Sequence, residues 1–198
     1  MVKTTFSLFT GMLLGMLIWA HPLLAQNKGY ISDFTLTDGA ETSVSLSDFQ
    51  GKKAVVVVFT SSHCSWAVKY EGRLQMLYDK YKTKDVAFIA INSNDASMSR
   101  RDEASQMTRN SSYSFQYLKD GDQAVAKQFG ATKNPEVFVL RPDGGKFKII
   151  YQGKIDDNPL DASLVKHHYL EDALDCVILG KEPGEEQTTP NGCNIKWK

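Results

Sequence analysis

"AVVVVFTSSHCSWAVKYEGRL", residues 54–74, decides the fold. Its first six residues are a continuous β-branched and apolar run, the pattern of a strand buried on both faces. After the polar "TSSHC", Trp66, Tyr70, Leu74, Leu77, Tyr78 and Tyr81 recur at steps of three and four, which predicts a helix to about Lys82. The joint between them carries one cysteine, Cys64, with Ser61 three positions earlier.

Working outward, "DVAFIAIN" (85–92) reads as a second buried strand and "DFTLTDGAETSVSL" (33–46) as a hairpin turning at Asp38-Gly39. A polar, helix-compatible region runs from about Ala96 to Asn110. "SFQYLKD" reads as a short edge strand and "DQAVAKQFG" as a short helix closed by Gly130. "PEVFVL" and "KFKIIYQG" form a hairpin around Asp143-Gly144-Gly145, and "DASLVKHHYLEDALDCVILG" (161–180) reads as an amphipathic helix. This order predicts an α/β sandwich with a mixed central sheet, an N-terminal hairpin and flanking helices. In such sheets, sites lie beyond the carboxyl ends of the strands, where Cys64 and "NSND" (92–95) fall.

Residues 1–25 have Lys3 as their one charge, an apolar run from about Phe6 to Ala20, and the small residue Ala25 before polar sequence. That is the layout of a secretory signal peptide, and the apolar run is shorter than the roughly 18–20 residues that span a bilayer. The expected organisation is a signal peptide (1–25), one domain (26–180) and an irregular tail (181–198), in an exported, periplasmic or extracellular protein without a later membrane segment. Without the signal the charges are 22 positive and 23 negative, a balance that offers no field for nucleic acid. Cys64, Cys176 and Cys193 all lie in the exported part. Export favours disulfides, and an odd count leaves at least one thiol unpaired or paired to another molecule.

The element order resembles the thioredoxin superfamily, and more closely its redoxin branch, the alkyl hydroperoxide reductase/thiol-specific antioxidant proteins. "FTLTDGAETSVSLSDFQGKKAVVVVFT" is similar to the opening of redoxin domains. "HCSWAVKYEGRL", "AINSND", "FGATKNPEVFVL", "GKIDDN" and "GCNIKWK" are similar to an exported thioredoxin-like subgroup that usually reads Cys-Asn-His-Cys-Pro-Tyr. The departures are Ser61 in place of the first cysteine, Ser65 in place of the proline after the second, and Asn134 in place of a threonine before the loop proline, Pro135.

The resemblance implies thiol-based oxidoreductase or antioxidant chemistry on a peroxide or a thiol/disulfide substrate, with a redox partner protein as electron donor and no cofactor or metal. It places Cys64 as the nucleophile with Ser61 and His63 beside it, and Thr60, Asn134 and Pro135 lining the substrate side, with Pro135 in the cis form. A dithiol cycle needs two thiols, and Ser61 cannot supply one. Cys64 then acts alone, with Ser61 hydrogen-bonding a thiolate or peroxide oxygen as in peroxiredoxins, or pairs with the distant Cys193. Against the peroxiredoxin reading, Val57 stands where a proline is usual, and no arginine near Pro135 matches the activating one, Lys133 being a weak substitute. The rival reading is a silent redoxin domain used for binding, with Cys64 a buried, inert thiol. Restoring a cysteine at 61 is expected to restore dithiol chemistry. Asp156-Asp157 reads as a solvated loop, and His167-His168 as surface.

Overall fold

In the computed structural model, residue 1 and residues 29–107, 109 and 111–198 are described. The strands in chain order are β1 (Tyr30–Ile31), β2 (Thr35–Thr37), β3 (Ser43–Ser45), β4 (Ala54–Phe59), β5 (Val86–Asn92), β6 (Gln116–Lys119), β7 (Lys133–Asn134), β8 (Glu136–Asp143), β9 (Lys146–Gly153) and β10 (Cys193–Asn194). The α-helices are α1 (Ser65–Tyr81), α2 (Ala104–Met107), α3 (Ala124–Phe129) and α4 (Tyr169–Ile178). Eight strands form one mixed sheet, ordered β1-β9-β8-β4-β5-β6-β2-β3. β4 is central, parallel to β5 and antiparallel to β8.

Alternation along β4 explains why the whole run must be apolar. Val55, Val57 and Phe59 pack in one cluster with Val125, Ala126 and Phe129 of α3. Ala54, Val56 and Val58 pack in the other with Tyr70 and Leu74 of α1 and Leu170 and Leu174 of α4. Successive strand residues face opposite sides, so α3 covers one face while α1 and α4 cover the other. Both faces are dry, and the strand end carrying the site is held from both sides.

Several expectations need correction. The N-terminal hairpin does not turn at two residues: Thr37 pairs with Ser43, leaving a five-residue loop. Asp38 Oδ1 accepts from the N–H groups of Ala40 and Thr42, at 2.8 Å each, which closes the wider loop. β6 is not an edge, because β2 pairs beyond it through Thr37 and Lys119. The 161–180 helix begins only at Tyr169. Asp157 takes the N–H of Lys166 at 2.9 Å, and Asp161 caps a single 3-10 turn at Ala162–Leu164, so the preceding residues form a loop. Leu164 is exposed, which explains why its place in the apolar periodicity misled. The 96–110 region breaks into short 3-10 turns and α2.

Asp156 is not solvated. It is buried, accepting from the Tyr70 hydroxyl and from Arg73, each at 2.7 Å. The tail has little regular structure beyond β10 and a bridge at Gln187, yet it is bound along its length. Thr188 and Glu186 bond the backbone of Gln152, β10 pairs with β7, and Ile195 is 2% exposed in the same apolar cluster as Phe129. Two glycines admit it. A Cβ on Gly153 would overlap the Thr188 backbone, and one on Gly192 would overlap the Asn134 carbonyl.

Candidate active site

β4 delivers the chain to the site already buried. Thr60 continues it, donating its N–H to the Ile91 carbonyl at 2.9 Å, and Ser61 follows at 1% exposure. A turn closes from the Cys64 N–H to the Ser61 carbonyl at 3.1 Å, and Cys64 becomes the N-cap of α1, its carbonyl accepting from Val68. No acidic residue occupies the first turn of this 17-residue helix. Its unpaired N–H groups and dipole therefore present uncancelled positive potential at the cap.

Cys64 is joined to Cys193 by a disulfide that closes a sequence separation of 129 residues, with the Cα atoms 5.9 Å apart. Cys193 sits in β10, directly opposite Asn134 of β7 in an antiparallel pair. The Asn134–Pro135 bond is cis. Cys64 Sγ lies 3.0 Å from the Asn134 carbonyl oxygen, which could accept from the thiol in the reduced state. Buried Glu136 shapes this loop, accepting the N–H groups of Thr132 (2.8 Å) and Lys133 (3.1 Å) on one carboxylate oxygen. Burial pushes its carboxyl above the ordinary range, against those hydrogen bonds.

Ser61 is committed to partners other than the sulfur. Its hydroxyl donates to Asp102 Oδ1 at 2.8 Å and accepts from Asn94 Nδ2 (3.0 Å) and the His63 N–H (3.1 Å). A serine has one proton to give, and here Asp102 holds it. The expected hydrogen bond from Ser61 to a thiolate or peroxide oxygen is therefore replaced by a structural one. Asp102 also accepts from Asn92 at 2.8 Å, and Asn94 Oδ1 accepts from Asn134 Nδ2 (3.1 Å) and the Lys196 N–H (2.9 Å). Lys119 closes the cluster by donating to the Asn94 carbonyl at 2.5 Å, and burial lowers its pKa from the ordinary lysine value.

Of the expected residues, the structure brings Cys64, Asn134 and Pro135 together with Cys193. Thr60 and Ser61 lie buried beneath them, and the His63 side chain is exposed. "NSND" reaches the site as its position at the end of β5 implied. Asp102 was missed because a polar run without periodicity gives no signal for which carboxylate turns inward. Gly192 was missed because its role depends on a contact with Asn134, 58 positions away in "KNP". His167 stacks on Tyr169 with centroids 5.7 Å apart. Among the described residues, no group of three or more His, Cys, Asp or Glu side chains is placed to hold a metal, and no helix is long and apolar enough to cross a membrane.

The model of the AhpC/TSA family matches residues 29–148. The chain belongs to the AhpC/TSA family. Solved structures similar to this AhpC/TSA chain include a hypothetical protein from Sinorhizobium meliloti, with TM-score 0.77 and 32% identity over 85% of this chain and 93% of that one. An uncharacterized conserved protein from Geobacillus kaustophilus matches with the same score and identity, over 85% and 90%. A putative thiol:disulfide interchange protein DsbE from Chlorobium tepidum superposes at TM-score 0.56 and 21% identity, over 76% of this chain and 94% of that one. That likeness bears on the fold alone, which is thioredoxin-like. A probable phospholipid hydroperoxide glutathione peroxidase from Citrus sinensis is 32% identical over 69 residues, covering 35% of this chain and 41% of that protein. The match thus spans less than half of that relative's length. The AhpC/TSA chain is a thioredoxin-fold redoxin.

Proposed function

We propose that this redoxin carries out thiol–disulfide exchange with Cys64 and Cys193 as its redox pair, the tail supplying the thiol that Ser61 cannot. One observation carries the reading: Cys64 caps the N-terminus of α1 and is bonded to a cysteine lying against the cis-Pro135 loop. When the disulfide opens, a thiolate at Cys64 is favoured by the helix dipole, which makes Cys64 the better leaving group of the two. A peroxidase acting through Cys64 alone would want donors around the sulfur. The side-chain hydrogen bond that the structure records for the Cys64 sulfur is to an acceptor, the Asn134 carbonyl, and the Ser61 proton is held by Asp102. In the proposed exchange a substrate disulfide gains two electrons, the thiol pair becomes the disulfide, and an external dithiol restores it.

The rival reading, a binding module with the disulfide as a clasp, draws support from the 3% exposure of Cys64 and the tightly bound tail. Equilibration with oxidised and reduced dithiothreitol, followed by alkylation and mass spectrometry of each cysteine, separates the two. A pair that titrates in the folded protein at a potential above about −300 mV supports exchange. A pair reduced only on unfolding sinks it and leaves the clasp.

Export belongs to the same proposal. Residues 2–25 lie outside the described residues, and the reading rests on Lys3, the apolar run and Ala25. Oxidising compartments are where such a disulfide persists. The mature chain is expected to begin at Gln26; N-terminal sequencing that finds Met1 on the exported protein would overturn this.

A further inference from the structure

β10 does more than place a sulfur. It is an extended segment added to the edge of β7, with Cys193 opposite Asn134 and Asn194 opposite Lys133, and the Ile195 N–H continues the pattern to the Thr132 carbonyl at 3.0 Å. Each position has its own constraint. Before the cysteine, Gly192 lies so close to the Asn134 carbonyl that no side chain fits. After it, Asn194 is exposed, and Ile195 is 2% exposed in the cluster with Phe129 and Ala131. Main-chain pairing, a covalent sulfur bond, one excluded side chain and one apolar pocket together make a peptide-recognition site occupied from within the chain.

We propose that residues 192–195 hold in cis the place of the protein's substrate. That substrate is an extended segment of another protein carrying a small residue, a disulfide-bonded cysteine, any residue and an aliphatic residue in that order. The inference rests on the exchange reading above. In the reduced protein the tail lifts from β7 and the segment pairs there. The Cys64 thiolate attacks the segment's cysteine sulfur, a mixed disulfide forms, and the second substrate sulfur leaves as a thiolate that takes a proton from water. The Cys193 thiolate then attacks the Cys64 sulfur. The Cys64–Cys193 bond forms as the substrate sulfur leaves, and β10 re-pairs with β7. Two electrons pass from the protein's thiols to the substrate, and the returning strand takes the edge the product occupied, so resolution and release are one event.

The test uses the full mature chain with Cys176→Ser and Cys193→Ser, which leaves Cys64 as the one thiol, with and without Gly192→Val. The probe is a synthetic peptide of residues 189–197, TPNGCNIKW, activated at its cysteine as a 2-thiopyridyl disulfide, and its Gly192→Val and Ile195→Asp counterparts. Thiopyridone release reports each capture rate. The parent peptide is expected to react at least about tenfold faster than either counterpart, since an overfilled contact or a buried charge forfeits that much binding. Gly192→Val in the protein is expected to accelerate capture of the parent peptide, because it dislodges the competing tail, whereas a purely structural tail predicts loss or no change. Equal rates for the three peptides overturn the proposal, and so does a folded Gly192→Val protein that is no faster. Should Gly192→Val fail to fold, discrimination among the peptides by the Cys193→Ser protein decides alone. Dithiodipyridine separates the two readings. If Cys64 reacts with it but does not discriminate among peptides, only the recognition proposal fails. If native Cys64 never reacts with it, the exchange reading fails as well.

Discussion

The Ser61 hydroxyl donates to the Asp102 carboxylate at 2.8 Å, in a pocket where both residues are 1% exposed. This bond settles the fate of the position three residues before Cys64. A serine that had merely replaced a surface thiol would be free to change back. Ser61 instead ties the end of β4 to the 3-10 turn at Arg100–Asp102 and, through Asn94, to the tail.

Ser61→Ala is therefore expected to cost about 1–3 kcal/mol, the range for leaving buried polar partners unsatisfied, measured by urea unfolding. Ser61→Cys is expected to destabilise in the same direction, since a thiol is a weak donor, and Cys64 is expected to keep Cys193 as its partner. The simple expectation from the sequence, that a cysteine at 61 restores a dithiol, gives way here. Peptide mapping that found a disulfide between positions 61 and 64 would reverse this conclusion.

Reduction should loosen the whole molecule. The bond closes a separation of 129 residues, and a loop of roughly 100 residues is worth about 4–5 kcal/mol by chain entropy, with observed losses of about 2–5 kcal/mol. Cys193→Ser, or wild type in dithiothreitol, is expected to show that loss in urea midpoint. An unchanged midpoint would mean that the denatured chain gains nothing from release of the crosslink.

The central strands, α1 and the position of Cys64 were legible because they rest on local periodicity: β4 must be apolar on both faces, and α1 repeats its apolar residues every turn. The wide 38–42 loop, the late start of α4 and the burial of Asp156 were not. Each depends on which group a carboxylate bonds: Asp38 and Asp157 take nearby backbone N–H groups, and Asp156 takes Tyr70 and Arg73, more than 80 positions away. Cys193 was legible as a sulfur in "GCNIKWK". That it lies opposite Asn134 is a fact of β-pairing between segments 59 residues apart, which composition and spacing do not encode.

Gly153 holds the tail at a second point. Its φ of +135° lies where side chains are strained, and a Cβ there would overlap the Thr188 carbonyl and hydroxyl. Thr188 Oγ1 in turn bonds the Tyr151 hydroxyl (2.7 Å) and the Lys154 N–H (2.8 Å). Gly153→Ala is expected to cost about 1–3 kcal/mol from strain and overlap, and to open residues 181–198 to limited proteolysis. Cleavage no faster than in wild type would show that the tail accommodates the methyl group.

High pH offers a test of the packing that needs no mutation. Of the eight tyrosines, Tyr70, Tyr81, Tyr113, Tyr117 and Tyr151 have their phenols held far above the ordinary value of 10.0, chiefly by burial, while Tyr30, through its hydrogen bond to Asp143, and Tyr169 are raised by less. Tyr70 and Tyr81 are raised further by hydrogen bonds to Asp156 and Asp175. Above pH 10 the folded chain keeps phenolic protons that the unfolded chain releases. The native state then binds more protons, so stability falls as pH rises through and beyond 10. Absorbance at about 295 nm should show a minor early titration, then a steep step coincident with loss of the far-ultraviolet circular dichroism signal as the five buried phenols ionise on unfolding. Eight phenols titrating smoothly near the ordinary value, with the fold intact, would contradict the burial of Tyr70, Tyr81 and Tyr151 in the cluster that packs α1 and α4 against β4.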